Sequence, residues 1–253
     1  MNWLEKAQER QQEMIKDLQA LVRINSVLDE STATEQVPFG EGPLKALNWM
    51  LEQGKIQKMN VVNMANKVGY IEMGQGEEMV GILCHVDVVP AGSDWVHEPF
   101  GAEIEDGKLF GRGAIDDKGP TMAAWLAMKM VQDAGIILSR RVRLIVGSDE
   151  ETGFRCVNHY MANEEIPTLG FAPDADFPII NAEKGIAETT YRQMNVKDND
   201  EQLRSFHAGH RINMVPDFAT AIVKNVSSQI KEQFEAYLVN ENVIGEITND
   251  NSN

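Results

Sequence analysis

"VGILCHVDVVPAGSDW", residues 80–95, decides how the rest of the chain is read. An apolar run over residues 80–84 ends in His85, Val86 and Asp87, and Pro90, Ala91 and Gly92 then break the chain. Residues 80–88 read as a buried strand bounded by a turn signal. Side chains at i and i+2 of a strand point to one side, so His85 and Asp87 become neighbours at a strand end. A metal-bound histidine has its other ring nitrogen held by a carboxylate or carbonyl, and Asp87 is placed for that task. Taken alone, His-x-Asp more often marks a hydrogen-bonded structural histidine than a metal ligand.

Working outward, strand and helix signals alternate. Upstream, Trp3, Leu4, Ala7, Met14, Ile15, Leu18, Leu21 and Val22 recur at three- and four-residue steps, which predicts an amphipathic helix. Residues 24–42 read as loop. Pro43 marks a second helix start, carried by Leu44, Leu47, Met50 and Leu51. Residues 61–64 and 68–73 read as strands. Downstream, residues 103–110 predict a hairpin about Asp106-Gly107, a favoured type I′ pair. "GRGAIDDKGP" (111–120) is a Gly-bounded loop, residues 121–134 form a helix stopped by Gly135, and residues 140–148 form a strand followed by "DEETG". This alternation predicts an α/β fold: a mixed, mostly parallel sheet flanked by helices, with its site beyond the carboxyl ends of the strands. After about residue 186 the texture shifts. Residues 188–196 read as a strand, 211–223 as loop into strand and 227–240 as a helix. Two domains are expected, 1–186 and 187–253, the second a smaller α+β unit left incomplete.

Bulk properties exclude several classes. The 253 residues are 43% hydrophobic and 25% charged, ordinary values for a globular protein. Net charge is −16, from 39 acidic and 23 basic residues. No basic patch is visible, which argues against nucleic acid. No apolar run approaches the roughly 18 residues of a membrane helix. The N-terminus is charged and amphipathic, unlike a secretory signal. The two cysteines, Cys84 and Cys156, are far apart, which argues against a disulfide framework and for a reducing, cytoplasmic setting.

Three acidic clusters accompany His85: Asp116 and Asp117 in "AIDDKG", Asp149, Glu150 and Glu151 in "GSDEETG", and Asp174 and Asp176 in "FAPDADFP". Each alone is more readily a turn or a cap. Together they lie at element edges, where crowded like charges need a cation or a proton. One histidine among carboxylates suits a divalent ion such as zinc, with manganese or cobalt also accepted. Two such ions would need a bridging carboxylate. Adjacent Glu150 and Glu151 offer one ligand and one general base.

In this order and spacing, "HVDVVPAG…W", "GRGAIDDKGP", "GSDEETG" and "PDADFP" resemble the co-catalytic dizinc aminopeptidase/aminoacylase (carboxypeptidase-G-like) family, in particular its PepV-type bacterial dipeptidase branch. The likeness runs from the first helix to "RINMVPDFATAIV". It implies that His85 and Asp174 ligate one zinc, Asp116 bridges two, and Glu151 ligates the second. It implies that Asp87 orients His85, Glu150 is the general base, and Asn213 reaches from a lid toward substrate. The implied domains are a catalytic unit over 1–186 and part of a lid over 187–253. The implied activity is hydrolysis of dipeptides or short peptides with a free amino end. The motifs equally admit hydrolysis of N-acyl amino acids, as by a succinyl-diaminopimelate desuccinylase. The expected partner is a small peptide, with no nucleic acid and no membrane, and the oligomeric state is open.

Members of that branch are nearly twice this length. The chain is therefore expected to stop before a lid histidine that stabilises the oxyanion and before a final zinc-ligand histidine. His97, His159, His207 and His210 lie in no matching motif and read as structural or exposed. Loss of one electrostatic donor typically costs about 100- to 1000-fold in rate. The 253-residue chain alone is thus expected to be a poor enzyme, or a non-catalytic binder of metal or peptide.

Overall fold

A computed structural model gives the fold. The structure describes residues 1–93, 95–176, 178–185, 187, 189–191, 202–209 and 214–248. The chain divides into two units, Met1–Glu183 and Lys184–Asn253.

The first unit is built on a five-stranded sheet in the order β1-β2-β6-β3-β7. The strands are β1 (Asn60–Met64), β2 (Val68–Met73), β3 (Met79–His85), β6 (Arg141–Gly147) and β7 (Leu169–Phe171). β3 runs parallel to both β6 and β7. β2 is antiparallel to β6 and β1 antiparallel to β2, so β2 alone opposes the common direction. The expected mixed, mostly parallel sheet is therefore what forms. The hairpin of β4 (Glu103–Glu105) and β5 (Lys108–Phe110) stands apart from it, and Asp106 and Gly107 both take positive φ, as a type I′ turn requires.

Helices cover both faces because successive strand residues face opposite ways. Ile71, Ile82, Cys84, Leu144 and Val146 pack with Leu21, Leu47, Met50, Met122 and Trp125 from α2 (Gln11–Val22), α3 (Glu41–Ile56) and α4 (Lys118–Asp133). The alternate residues Val68, Tyr70 and Ile145 pack with Cys156 and Tyr160 of α6 (Arg155–Asn163) on the other face. Each large apolar side chain fully buried this way contributes about 1.5–3 kcal/mol. Gly54 lets α3 lie close on the sheet: a Cβ there would stand 2.8 Å from Ile71 Cγ1 and Val61 Cγ2.

Four local expectations are corrected. The first amphipathic segment is two helices, α1 (Trp3–Glu9) and α2, because Arg10 leaves the helical path and turns its guanidinium to Glu13 and Asp133. β3 ends at His85 rather than residue 88: beyond it Val88 N–H donates to Ser26 O, and Val27 and Val88 form a separate bridge. α4 begins at Lys118 rather than residue 121, since the buried Lys118 ammonium donates to Ile24 O and Pro120, in the first turn, needs no donor. Of the expected strand at 188–196, residues 189–191 are described and are not strand.

The second unit contains an antiparallel pair, β8 (Gln202–Ala208) with β9 (Ala219–Lys224), and α7 (Ser228–Asn240), whose N-cap Ser227 accepts from Ile230 N–H. The strand and helix after residue 211 were foreseen. β8 was not, because a register shift between Leu203 and Ser205 interrupts the two-residue alternation that marks a strand. Among the described residues, no helix is long and apolar enough to cross a membrane.

Candidate metal centre

The parallel strands β3, β6 and β7 end on one edge of the sheet, and the acidic segments leave from there. β3 ends in His85, in register with Gly147 at the end of β6. β6 leads through Ser148 and Asp149 into the short helix α5 (Glu150–Gly153), and β7 leads to Asp174. The loop 111–117 brings Asp116 to the same place before α4.

His85 is 2% exposed and its two nitrogens face different partners. Nε2 lies 3.1 Å from Asp116 Oδ1, 3.2 Å from Asp174 Oδ2 and 3.8 Å from Glu150 Oε2. Nδ1 lies 3.0 Å from the Asp87 carbonyl and 3.5 Å from Asp87 Oδ1. Ligand atoms of His85, Asp116 and Asp174 all fall within 4.8 Å of one another, a grouping able to hold a metal ion. Asp87, also 2% exposed, accepts the Glu150 amide on Oδ1 and the Glu151 amide on Oδ2, each at 3.1 Å. One carboxylate thereby ties the β3 end to the first turn of α5.

The backbone around His85 is held on every side. Val86 N–H donates to Gly147 O at 2.9 Å, and Ser26 Oγ donates to Val86 O at 2.6 Å. His85 N–H donates to Asp117 Oδ2 at 3.0 Å, and Thr121 Oγ1 lies 3.3 Å from His85 O. Gly147 is closed to larger residues, since a Cβ would meet Cys156 Sγ at 2.9 Å.

The electrostatics are those of a site short of positive charge. Burial, together with the charge of Asp116, pushes the Glu151 carboxyl up to about 7. Burial raises Glu150 as well, the nearby imidazole opposing it. Burial works against a charged His85, yet hydrogen bonds to Asp116, Asp174 and Asp87 outweigh it and raise the imidazole. Asp116, bonded to that imidazole, is lowered. A divalent ion is what such a donor set of one nitrogen and several crowded carboxylates accommodates.

Of the residues singled out in the sequence, His85, Asp87, Asp116, Glu150 and Asp174 come together directly, and Glu151 sits beside them through its amide on Asp87. Asn213 lies outside the described residues. Asp149 does not join: it is buried and paired with Arg155 at 2.6 Å, also accepting from Thr152 Oγ1. His97 is paired with Glu103 and Glu105, and His207 is exposed on β8. Sequence reading did not single out Ser26 or Thr121. Neither hydroxyl has a signal of its own in a sequence, because each acts on a backbone group distant along the chain.

A mostly parallel sheet thus carries, at its carboxyl edge, a one-histidine carboxylate cluster able to hold a metal ion. Residues 81–249 match Peptidase family M20/M25/M40, and the chain belongs to that family. It is 49% identical over 232 residues to a Bacillus subtilis (strain 168) protein named "Putative dipeptidase YtjP", covering 90% of this chain and 50% of that one. A Staphylococcus epidermidis (strain ATCC 12228 / FDA PCI 1200) protein named "Putative dipeptidase" is 42% identical over 254 residues, 98% of this chain and 54% of the relative. The chain thus spans about half the length of the curated relatives it matches. Among solved structures, human carnosine dipeptidase 1 shares the fold with a TM-score of 0.56 at 20% identity, over 68% of this chain and 40% of that one. A metallo-carboxypeptidase of the M20 family from Sulfolobus solfataricus does so with a TM-score of 0.53 at 24% identity, over 64% and 37%.

Proposed function

We propose that this chain carries the metal centre of a cytoplasmic, zinc-dependent dipeptidase. The observation that carries the reading is the convergence of Asp116 and Asp174 on His85 Nε2 at 3.1 and 3.2 Å, with Glu150 alongside. The dipeptidase names of the relatives support the substrate class. His85 and Asp174 would hold one zinc, Asp116 would be shared with a second, and Glu151 would be the second's other ligand from this chain; manganese or cobalt fits the same donors. When bound, the metal supplies a Lewis acid for the peptide carbonyl and acidifies a water molecule. Glu150 takes the proton from the attacking water and returns one to the departing amine, so the C–N bond breaks without leaving an amide anion. Asp87 holds the Glu150 and Glu151 amides and the His85 ring in one register. Asn213 is proposed to reach the substrate.

The test is metal content and turnover together. The purified chain, loaded with zinc and desalted, should retain metal by elemental analysis, and H85A and D174N should lose it. Turnover by this chain should be weak, and what there is should favour dipeptides with a free amino end over N-succinyl or N-acetyl amino acids. A preference for acylated substrates would replace dipeptidase with deacylase, metal retention without turnover of either would leave a binding protein, and failure to retain metal would overturn the metal centre itself.

A further inference from the structure

We propose that Asp117 and Thr121 are positioning residues which set the orientation of His85 from behind, by gripping its backbone; this rests on the metal-centre reading above. The argument starts from the sheet. β7 pairs with β3 only as far as Ile82 opposite Phe171. His85 lies three residues beyond that pairing. Val86 N–H points to β6, where it meets Gly147 O, so the N–H and C=O of His85 point to the opposite edge, past the end of β7. These two groups are buried and need partners. The beginning of α4 supplies both in place of a strand: Asp117 Oδ2 accepts the His85 N–H at 3.0 Å, and Thr121 Oγ1 stands 3.3 Å from His85 O. Thr121 Oγ1 is also 3.2 Å from Asp117 Oδ2, so its single proton is shared between that carboxylate and His85 O, and the two side chains form one bracket, four residues apart on the same helix face.

The ordinary explanations for Asp117 do not fit. It occupies the N-cap position of α4 but makes no side-chain cap hydrogen bond. It is 0% exposed, and among the described residues its Oδ1 has no hydrogen-bond partner. A buried carboxylate with one orphaned oxygen is a poor stabilising device. What it does do is fix the peptide whose imidazole faces Asp116 and Asp174. The same carboxylate follows Asp116 directly in the chain, so one short segment presents one acid to the metal-facing side of His85 and the next acid to its backbone.

The test is cobalt(II) titration of the full chain, read by visible absorption and by competition with a chelator, at a temperature where circular dichroism shows every variant folded. D117A and T121V should weaken cobalt affinity by about 10- to 100-fold and change the absorption band, the usual cost of losing an outer-shell support. D117N, whose amide oxygen can still accept the His85 N–H, and T121S, which keeps the hydroxyl, should restore both. If D117A does not fold, T121V against T121S decides alone. Wild-type affinity and band shape in folded D117A or T121V would overturn the inference while leaving the metal centre standing. Absence of cobalt binding by the wild-type chain would overturn both.

Discussion

Asp116 and Asp117 are chemically identical and adjacent, yet one is exposed beside the imidazole and the other is fully buried behind it. The difference comes from where α4 starts, because the helix carries Asp117 under the β3 end while Asp116 remains on the loop. Composition cannot separate such neighbours; only the tertiary path does. Glu150 and Glu151 are a second such pair. Both amides bind Asp87, but the Glu150 carboxylate is the one that stands 3.8 Å from His85 Nε2. If Glu150 is the base, E150Q should retain bound metal and lower kcat by about 100- to 10,000-fold, with KM little changed. Undiminished turnover in metal-loaded E150Q would assign the proton transfer elsewhere. His85, Asp87 and Asp174 were legible because each stands beside a strand-end or proline signal. Ser26 and Thr121 were not, because a hydroxyl that bonds a distant carbonyl leaves no periodic trace.

At the scale of elements, the sheet was legible from apolar runs and the turn at Asp106-Gly107 from its dipeptide. The break between α1 and α2 was not. It depends on Arg10, whose guanidinium spans Glu13 at 2.6 Å and Asp133 at 2.7 Å, while Lys129 of α4 reaches Glu13 and lies 3.7 Å from Asp17. These ions fasten the N-terminal helices to α4. The hydrogen bond from Arg10, followed by that from Lys129, holds the Glu13 carboxyl down at about 2 against an ordinary 4.5. A carboxyl lowered on folding stabilises above its unfolded value and loses that contribution as the pH falls through the folded one. E13Q should therefore melt at most a few degrees below wild type at pH 7, and the gap should close between pH 4.5 and pH 2. A gap that is constant across that range would show the ion network to be incidental to the packing of α2.

At the scale of the molecule, every described residue of the candidate centre falls in Met1–Glu183. Residues 1–183 alone are expected to bind zinc as the whole chain does, and calorimetric titration of the two side by side would check it; a much weaker affinity for the shorter piece would bring the second unit into the centre. Three of the contributing segments, around 85, 116 and 174, are far apart along the chain and meet only at the sheet edge. An ion gripped by all three would act as a removable cross-link, closing two long loops at once. Folding and loading then share one free energy. Above its dissociation constant, each tenfold rise in free metal would add about 1.4 kcal/mol to the resistance of the fold against unfolding. How much of the protein survives heat or proteolysis would then follow the metal supply of its surroundings.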